Sequence, residues 1–313
     1  MTHQEALSPR KAARVARTGL RRLSSLAAIA TSSGENLFRK RGGAVLSLDP
    51  SHKPALLCAN GPSLVSDLPL IRRESYGQIV VVNAMASTDY FETLRPTAYF
   101  IQDRFWFERE PFHEQKVEQM FRALNDKVSW KMALCIPSRY AKQFRTSQQI
   151  TNKFIEIRSF DGPELKSGHL GTVNDDFNLR TKFLTYLWNR SFLYPPLEGI
   201  ASTALFELIR THPVRIDLAG LDMTMGRDLS VDTSGSLGFF PSHFYGKSAD
   251  RVPDYGPTIS TAHAYFWLSR KFHLFNLLRA YADAQGVTIL NRTADTLLDS
   301  FPASSLTQEM HNK

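Results

Sequence analysis

Six short apolar runs, each too short for a helix, recur along the chain with stretches of helical length between them. They are Ala55–Ala59, Ile79–Asn83, Thr97–Gln102, Ser129–Ile136, Val214–Ala219 and Val287–Leu290. The intervening stretches read as helices at Leu64–Arg73, Arg109–Leu124, Ile200–Arg210 and Ser260–Ala284, the last stopped by Gly286. Strands alternating with helices in this way predict an α/β fold with a mainly parallel, doubly wound sheet. Ligands of such sheets bind at the carboxyl ends of the strands.

A chain of 313 residues is long enough for one large domain of this kind, or a domain with a lid. The segment 1–45 holds nine Lys or Arg and two Glu, so it carries +7 of the formal net charge of +8. The body is close to neutral, which argues against nucleic acid as a partner. Within the basic segment Arg10, Arg14, Arg17 and Arg21 share one face of a helix over 10–30, opposite Val15, Leu23 and Leu26. A cationic face backed by an apolar stripe suits an anionic membrane surface; a solvated tail and an organelle transit peptide are the other readings. Residues 31–45 read as a linker, 46–301 as the catalytic domain, 150–198 and 224–258 as variable or lid regions, and 302–313 as a polar tail. No run of 18 apolar residues predicts a transmembrane helix. Cys58 and Cys135 lie in apolar stretches and read as buried small hydrophobes in a reducing compartment.

Chemistry is most legible at Leu56-Leu57-Cys58-Ala59-Asn60-Gly61-Pro62-Ser63-Leu64, where an apolar strand breaks into a turn and then a helix. Gly61 has no side chain and would let a ligand approach the backbone. Pro62 suits the first helical position, and the helix would then offer free N–H groups and its positive end to a phosphate. Asn60 can donate or accept hydrogen bonds to phosphate, ribose or sugar.

That opening resembles the CMP-sialic acid-dependent sialyltransferases of bacteria (glycosyltransferase family 42), and is similar to the MptE-like 6-hydroxymethylpterin diphosphokinases. The second strand ends in Asn83, as theirs does, and the third, Ala98-Tyr99-Phe100-Ile101-Gln102-Asp103, has Gln102 where the sialyltransferases carry another asparagine. Gly199-Ile200-Ala201-Ser202-Thr203-Ala204 resembles their small-residue turn into a helix, and Leu218-Ala219-Gly220-Leu221-Asp222-Met223 resembles their Leu-x-Gly-Ile-Asp-Phe. The resemblance covers roughly 54–104 and 198–301. It implies a Rossmann-like sheet, a variant of the GT-A arrangement, to which this chain adds the lid region and the basic N-terminal helix read above. It also implies that Asn60 and Asn83 contact the donor, that Ser202 or Thr203 does so from the start of their helix, and that Asp222 closes its strand beside the nucleotide.

Two departures matter. Thr224 stands where the sialyltransferases place a tyrosine that stabilises the leaving phosphate, leaving Tyr245 or Tyr255 as substitutes. Their base histidine aligns with Ser269. A base that deprotonates an acceptor hydroxyl needs a pKa near 7, which imidazole supplies. His243, in Ser-His-Phe-Tyr-Gly, is the first candidate and His263 the second, while His273 reads as structural. No Asp-x-Asp occurs, which fits a transferase with no metal and no cofactor, whose leaving phosphate is stabilised by hydrogen bonds.

The sequence thus predicts a metal-independent transferase at the cytoplasmic face of the inner membrane. It would move sialic acid, Kdo or a related acidic sugar from a CMP-sugar donor to a lipid-linked or surface glycan such as lipopolysaccharide or capsule. An ATP- and Mg²⁺-dependent pterin diphosphokinase and a non-enzymatic nucleotide- or glycan-binding accessory protein are the alternatives.

Overall fold

The computed structural model describes residues 45–47, 51–108, 113–160, 177–239, 242–243, 246–247 and 260–304. The basic helix over 10–30, most of the linker and the tail from 305 therefore lie outside the described residues.

Seven strands form one sheet: β1 (Ala55–Cys58), β2 (Gln78–Val82), β3 (Ala98–Phe100), β4 (Met132–Pro137), β5 (Ile155–Phe160), β6 (Arg215–Ala219) and a last strand at Thr288–Asn291. Two small antiparallel hairpins come first in the chain, β7 (Leu229–Val231) with β8 (Leu237–Phe239) and β9 (Ser242–His243) with β10 (Gly246–Lys247), so the last strand is β11. The sheet order is β11-β6-β1-β2-β3-β4-β5, and every neighbouring pair in it is parallel. This is a Rossmann-like α/β arrangement. The chain lays down β1 to β5 in one direction, then returns to the far side of β1 to place β6. The sheet therefore has its topological switch point between β1 and β6, where the loops leaving two adjacent strands diverge and open a crevice at the carboxyl ends.

The strands at the centre are apolar throughout because they are covered on both faces. Every residue of β1 (Ala-Leu-Leu-Cys) and of β4 (Met-Ala-Leu-Cys-Ile-Pro) is buried. One face of the sheet packs on a cluster that includes Leu56, Val81, Tyr99, Leu134, Trp106 and Phe121. Helices α1 (Leu64–Asp67), α2 (Tyr90–Leu94), α3 (Glu114–Lys127) and α4 (Ser138–Thr146) connect the first five strands. Helix α5 spans Phe177–Asn189, in a compact unit separate from the sheet. Helix α6 (Ile200–Ile209) is buried on nearly all sides, with Ser202, Thr203 and Glu207 as its buried polar residues. It packs on β1, β2 and the long helix α7 (Thr261–Ala284). Helix α7 has 24 residues, about 36 Å at 1.5 Å per residue, and is capped by the Ser260 side chain accepting from His263 N–H.

Several expectations need correction. The first helix does not run from Leu64 to Arg73: α1 is a single turn, Leu64–Asp67, followed by a 3-10 turn at Leu68–Leu70 that contains Pro69. Proline cannot supply the N–H that an α-helix would need there. The region 150–198 is not irregular, for it contributes the edge strand β5. The alternation Ile155-Glu156-Ile157-Arg158 is the signal of a half-exposed strand, and the Glu156–Arg158 pair (2.7 Å) decorates that edge. Helix α4 follows Pro137 directly, with Ala141 and Phe144 buried. The loop over 224–258 holds the two hairpins. At the end of the linker Val45 is buried, its N–H donating to Glu207 Oε2 (3.1 Å) and its carbonyl accepting from Arg158 Nη1 (3.0 Å).

Candidate functional site

The switch point is built by two loops that clasp each other. Past the end of β1 and β6 the ladder continues as Ala59 N–H to Ala219 O (2.9 Å) and Gly61 N–H to Gly220 O (2.7 Å). Asp222 then accepts from Ser63 twice, from its N–H at 3.1 Å and from its hydroxyl at 2.9 Å. In return the N–H of Gly220 donates to Asp67, on α1. Gly220 has φ +64, and a Cβ there would lie 2.8 Å from the Cβ of Leu64, so both conformation and space demand glycine.

The structure revises the reading of this turn. A Cβ at Gly61 would lie 1.7 Å from Asp222 Oδ2 and 2.6 Å from Gly220 O. Gly61 is thus required by the approach of the neighbouring loop, and the space over it is filled by a carboxylate. Pro62 is exposed and precedes the helix by two residues instead of opening it. Helix α1 is too short to develop an appreciable dipole, and the N–H of Ser63 already has an anionic partner. Both carboxylates are buried. Burial, and then the charge of Asp222, pushes Asp67 up to about 6, against the Gly220 hydrogen bond. Burial also raises Asp222, against the two hydrogen bonds from Ser63. Two acids at this turn make it a poor seat for phosphate.

Open hydrogen-bonding capacity lies beside the clasp. Asn60, 8% exposed at the end of β1, has no hydrogen-bond partner for either amide atom among the described residues. At the end of the adjacent β2, Asn83 Oδ1 is likewise out of solvent and unpartnered. Asn83 is held in a left-handed conformation (φ +52). Its carbonyl accepts from the Tyr99 hydroxyl, which in turn accepts from Ala86 N–H (3.1 Å), so the phenol pins both ends of the turn. A buried polar atom without a partner is uncommon in a folded protein and marks a place where a ligand or water supplies one. Tyr99 was not singled out by its sequence, where it is one aromatic in an apolar strand.

The remaining predicted residues divide. Gln102, at the end of β3, is already engaged: Thr203 Oγ1 donates to its Oε1 (2.9 Å) and its Nε2 donates to Leu197 O (3.3 Å). Ser202 and Thr203 also donate to Gly199 O, at 2.8 and 3.2 Å, so both hydroxyls serve the first turn of α6. Asp103 is exposed on the loop after β3. His263 is exposed in the first turn of α7, its Nδ1 3.0 Å from Ser260 Oγ. Two residues on, the Tyr265 hydroxyl donates to Gly226 O (3.2 Å), which ties this end of α7 to the loop after Asp222. The backbone of His243 pairs with Gly246 in the β9–β10 hairpin, and its side chain lies outside the described residues, as does Tyr245. His273 is buried.

A second polar feature at this edge was missed by sequence reasoning. Glu198, the residue before the N-cap of α6, accepts from Arg270 Nη2 of α7 at 2.5 Å. Its side chain is 7% exposed, and its second oxygen, Oε2, is buried and has no partner among the described residues. Nothing about an isolated Glu or Arg in the sequence marks them as a pair 72 residues apart.

Among the described residues no three His, Cys, Asp or Glu side chains gather as metal ligands, and no helix is long and apolar enough to cross a membrane. Cys58 and Cys135 are free and buried, and burial raises both thiols. Comparison with protein-family models, curated proteins and solved structures finds no match to this chain.

Proposed function

We propose that the chain is a metal-independent glycosyltransferase that takes an acidic sugar from a CMP ester, with the donor held over the carboxyl ends of β1 and β2. The observation that carries this reading is the unsatisfied amide of Asn60 together with the unsatisfied Oδ1 of Asn83, at the ends of adjacent strands beside the switch point. Amide groups accept from ribose and sugar hydroxyls and donate to phosphate oxygens without demanding a cation. They are among the positions at which the resemblance to the sialyltransferases implies donor contacts.

In the reaction, a histidine takes the proton of an acceptor hydroxyl as that oxygen attacks the anomeric carbon. The bond from that carbon to the phosphate oxygen breaks, and CMP departs with the electron pair. His243 is the first candidate for the base and His263 the second. The basic segment 1–45 would hold the enzyme at the cytoplasmic face of an anionic membrane, near lipid-linked acceptors such as lipopolysaccharide or capsule precursors.

Thermal shift with CMP, CDP, UDP, GDP, ADP and ATP tests the reading, because a ligand that binds only the native state raises the melting temperature. Stabilisation by CMP that survives EDTA and is lost in Asn60→Ala and Asn83→Ala is the expected result. His243→Ala or His263→Ala should then abolish CMP release from CMP-sugars while CMP binding is retained. Stabilisation by ATP with Mg²⁺ alone would replace this reading with a diphosphokinase, and CMP binding without turnover of any CMP-sugar would leave a binding protein.

A further inference from the structure

We infer that Glu198 recognises the ribose diol of the bound nucleotide, an assignment that rests on the nucleotide reading above and goes beyond it. A carboxylate that is ionised can only accept hydrogen bonds. One oxygen of Glu198 accepts from Arg270 Nη2 at 2.5 Å, which fixes the direction of the carboxylate. The other oxygen is out of solvent and has no donor among the described residues, though Arg270 Nε beside it is also without a partner. In a side chain 7% exposed, that vacant acceptor offers a place for an O–H or N–H of a ligand.

Its place in the fold says which part of a nucleotide supplies the donor. In a parallel sheet the chain must cross back to the amino-terminal edge before entering β6. Helix α6 therefore runs antiparallel to β1 and β2, which it covers, and its first turn stands at their carboxyl ends. That is the edge where the Asn60 amide and Asn83 Oδ1 are unsatisfied. The bond from Thr203 to Gln102 fastens this turn to the end of β3. The space in front of Gly199 is open, the nearest atom to a Cβ there being Ser202 Oγ at 3.9 Å. A carboxylate repels phosphate, so this part of the site takes a neutral, donor-bearing part of the ligand. Vicinal hydroxyls match a carboxylate oxygen with two free lone pairs, and acids take this role at ribose in other α/β nucleotide sites.

Isothermal titration of the full chain with CMP, 2′-deoxy-CMP and 3′-deoxy-CMP tests the assignment. The wild type should bind CMP roughly tenfold or more tightly than at least one deoxy analogue, as a lost charge-assisted hydrogen bond predicts. Glu198→Gln should lower CMP affinity to that of the analogue and leave the analogue's affinity unchanged. Glu198→Asp, which keeps the charge but draws it back by one methylene, should fall between them and serves if the glutamine variant does not fold. Equal wild-type affinity for all three ligands overturns the assignment while leaving the nucleotide reading intact. So does discrimination that survives in both variants. Equal losses toward CMP and its analogues would move Glu198 to the base and overturn it too. Failure of the wild type to bind any cytidine nucleotide sinks the underlying reading and this inference with it.

Discussion

The carboxylate of Asp222, beyond the end of β6, receives both the backbone N–H (3.1 Å) and the hydroxyl (2.9 Å) of Ser63, beyond the end of β1. The two strands are neighbours in the sheet but 157 or more residues apart in the chain from Cys58 to Arg215 onward. The clasp therefore couples the first and last parts of the sheet at the point where a ligand crevice opens. The turn keeps its shape without a ligand, and the donor capacity a phosphate would use is already spent.

Gly61→Ala should be among the most destabilising single substitutions in the chain. Its methyl group would sit 1.7 Å from Asp222 Oδ2, so either the clasp or the strand end must move. A loss of about 3 kcal/mol is expected in urea denaturation. Adding Asp222→Ala should recover part of it, because the carboxylate is the nearest obstacle. Full recovery is not expected, since Gly220 O stays 2.6 Å from the new atom.

Asp67→Asn should stabilise the protein at pH 7.5 and not at pH 4. The carboxyl titrates at about 6 in the fold, against an ordinary 3.8. Well below its ordinary value the carboxyl is protonated folded and unfolded, so ionisation makes no difference. As the pH rises from that value to about 6 the unfolded state releases the proton while the native state keeps it, so stability falls over this window by on the order of 2–3 kcal/mol and levels off above it. The asparagine keeps an acceptor for Gly220 N–H and removes this dependence. Melting temperatures of both proteins across pH 4–8 check it, and parallel curves would refute it.

Tyr99→Phe should weaken nucleotide binding more than it changes the fold. The hydroxyl is removed from between Asn83 O and Ala86 N–H, which frees Asn83 to leave its left-handed conformation. A stability loss of about 1–3 kcal/mol is expected, with a fall of roughly tenfold in affinity for whichever nucleotide stabilises the wild type. Unchanged affinity would remove Asn83 from the site.

Arg292→Met should cost about 3–5 kcal/mol. Asp217 is fully buried in β6 and faces Arg292 Nη2 (3.3 Å), Arg215 Nε (2.9 Å) and the Tyr76 hydroxyl (3.1 Å). Removing the buried guanidinium leaves the carboxylate, among the described residues, with the partly exposed Arg215 as its cation. Thermal denaturation reads the loss, and Asp217→Asn in the same chain should restore part of it by removing the stranded charge.

Much of the sheet was legible because strands covered on both faces must be apolar. Five of the six expected strands fall within two residues of their observed ends, as for Ile79–Asn83 against Gln78–Val82, and Ser129–Ile136 begins three residues early. Strand β5 escapes the sequence reading because its signal is the weaker alternation of an edge. Asn60 and Asn83 were legible as strand-end amides. Glu198 and Tyr99 were not, since neither residue type is unusual where it stands.

The sequence by itself determined the α/β class, the parallel sheet and the edge on which a ligand would sit, because these follow from local apolar patterning and from the order of strands and helices. Only the tertiary structure decided which polar groups are engaged there. Gln102 and Thr203 satisfy each other, Ser63 is taken by Asp222, and among the described residues the Asn60 amide, Asn83 Oδ1, Asp67 Oδ2 and one oxygen of Glu198 are left over. Hydrogen-bond satisfaction is a property of pairs far apart in the chain, and no single residue carries it in the sequence.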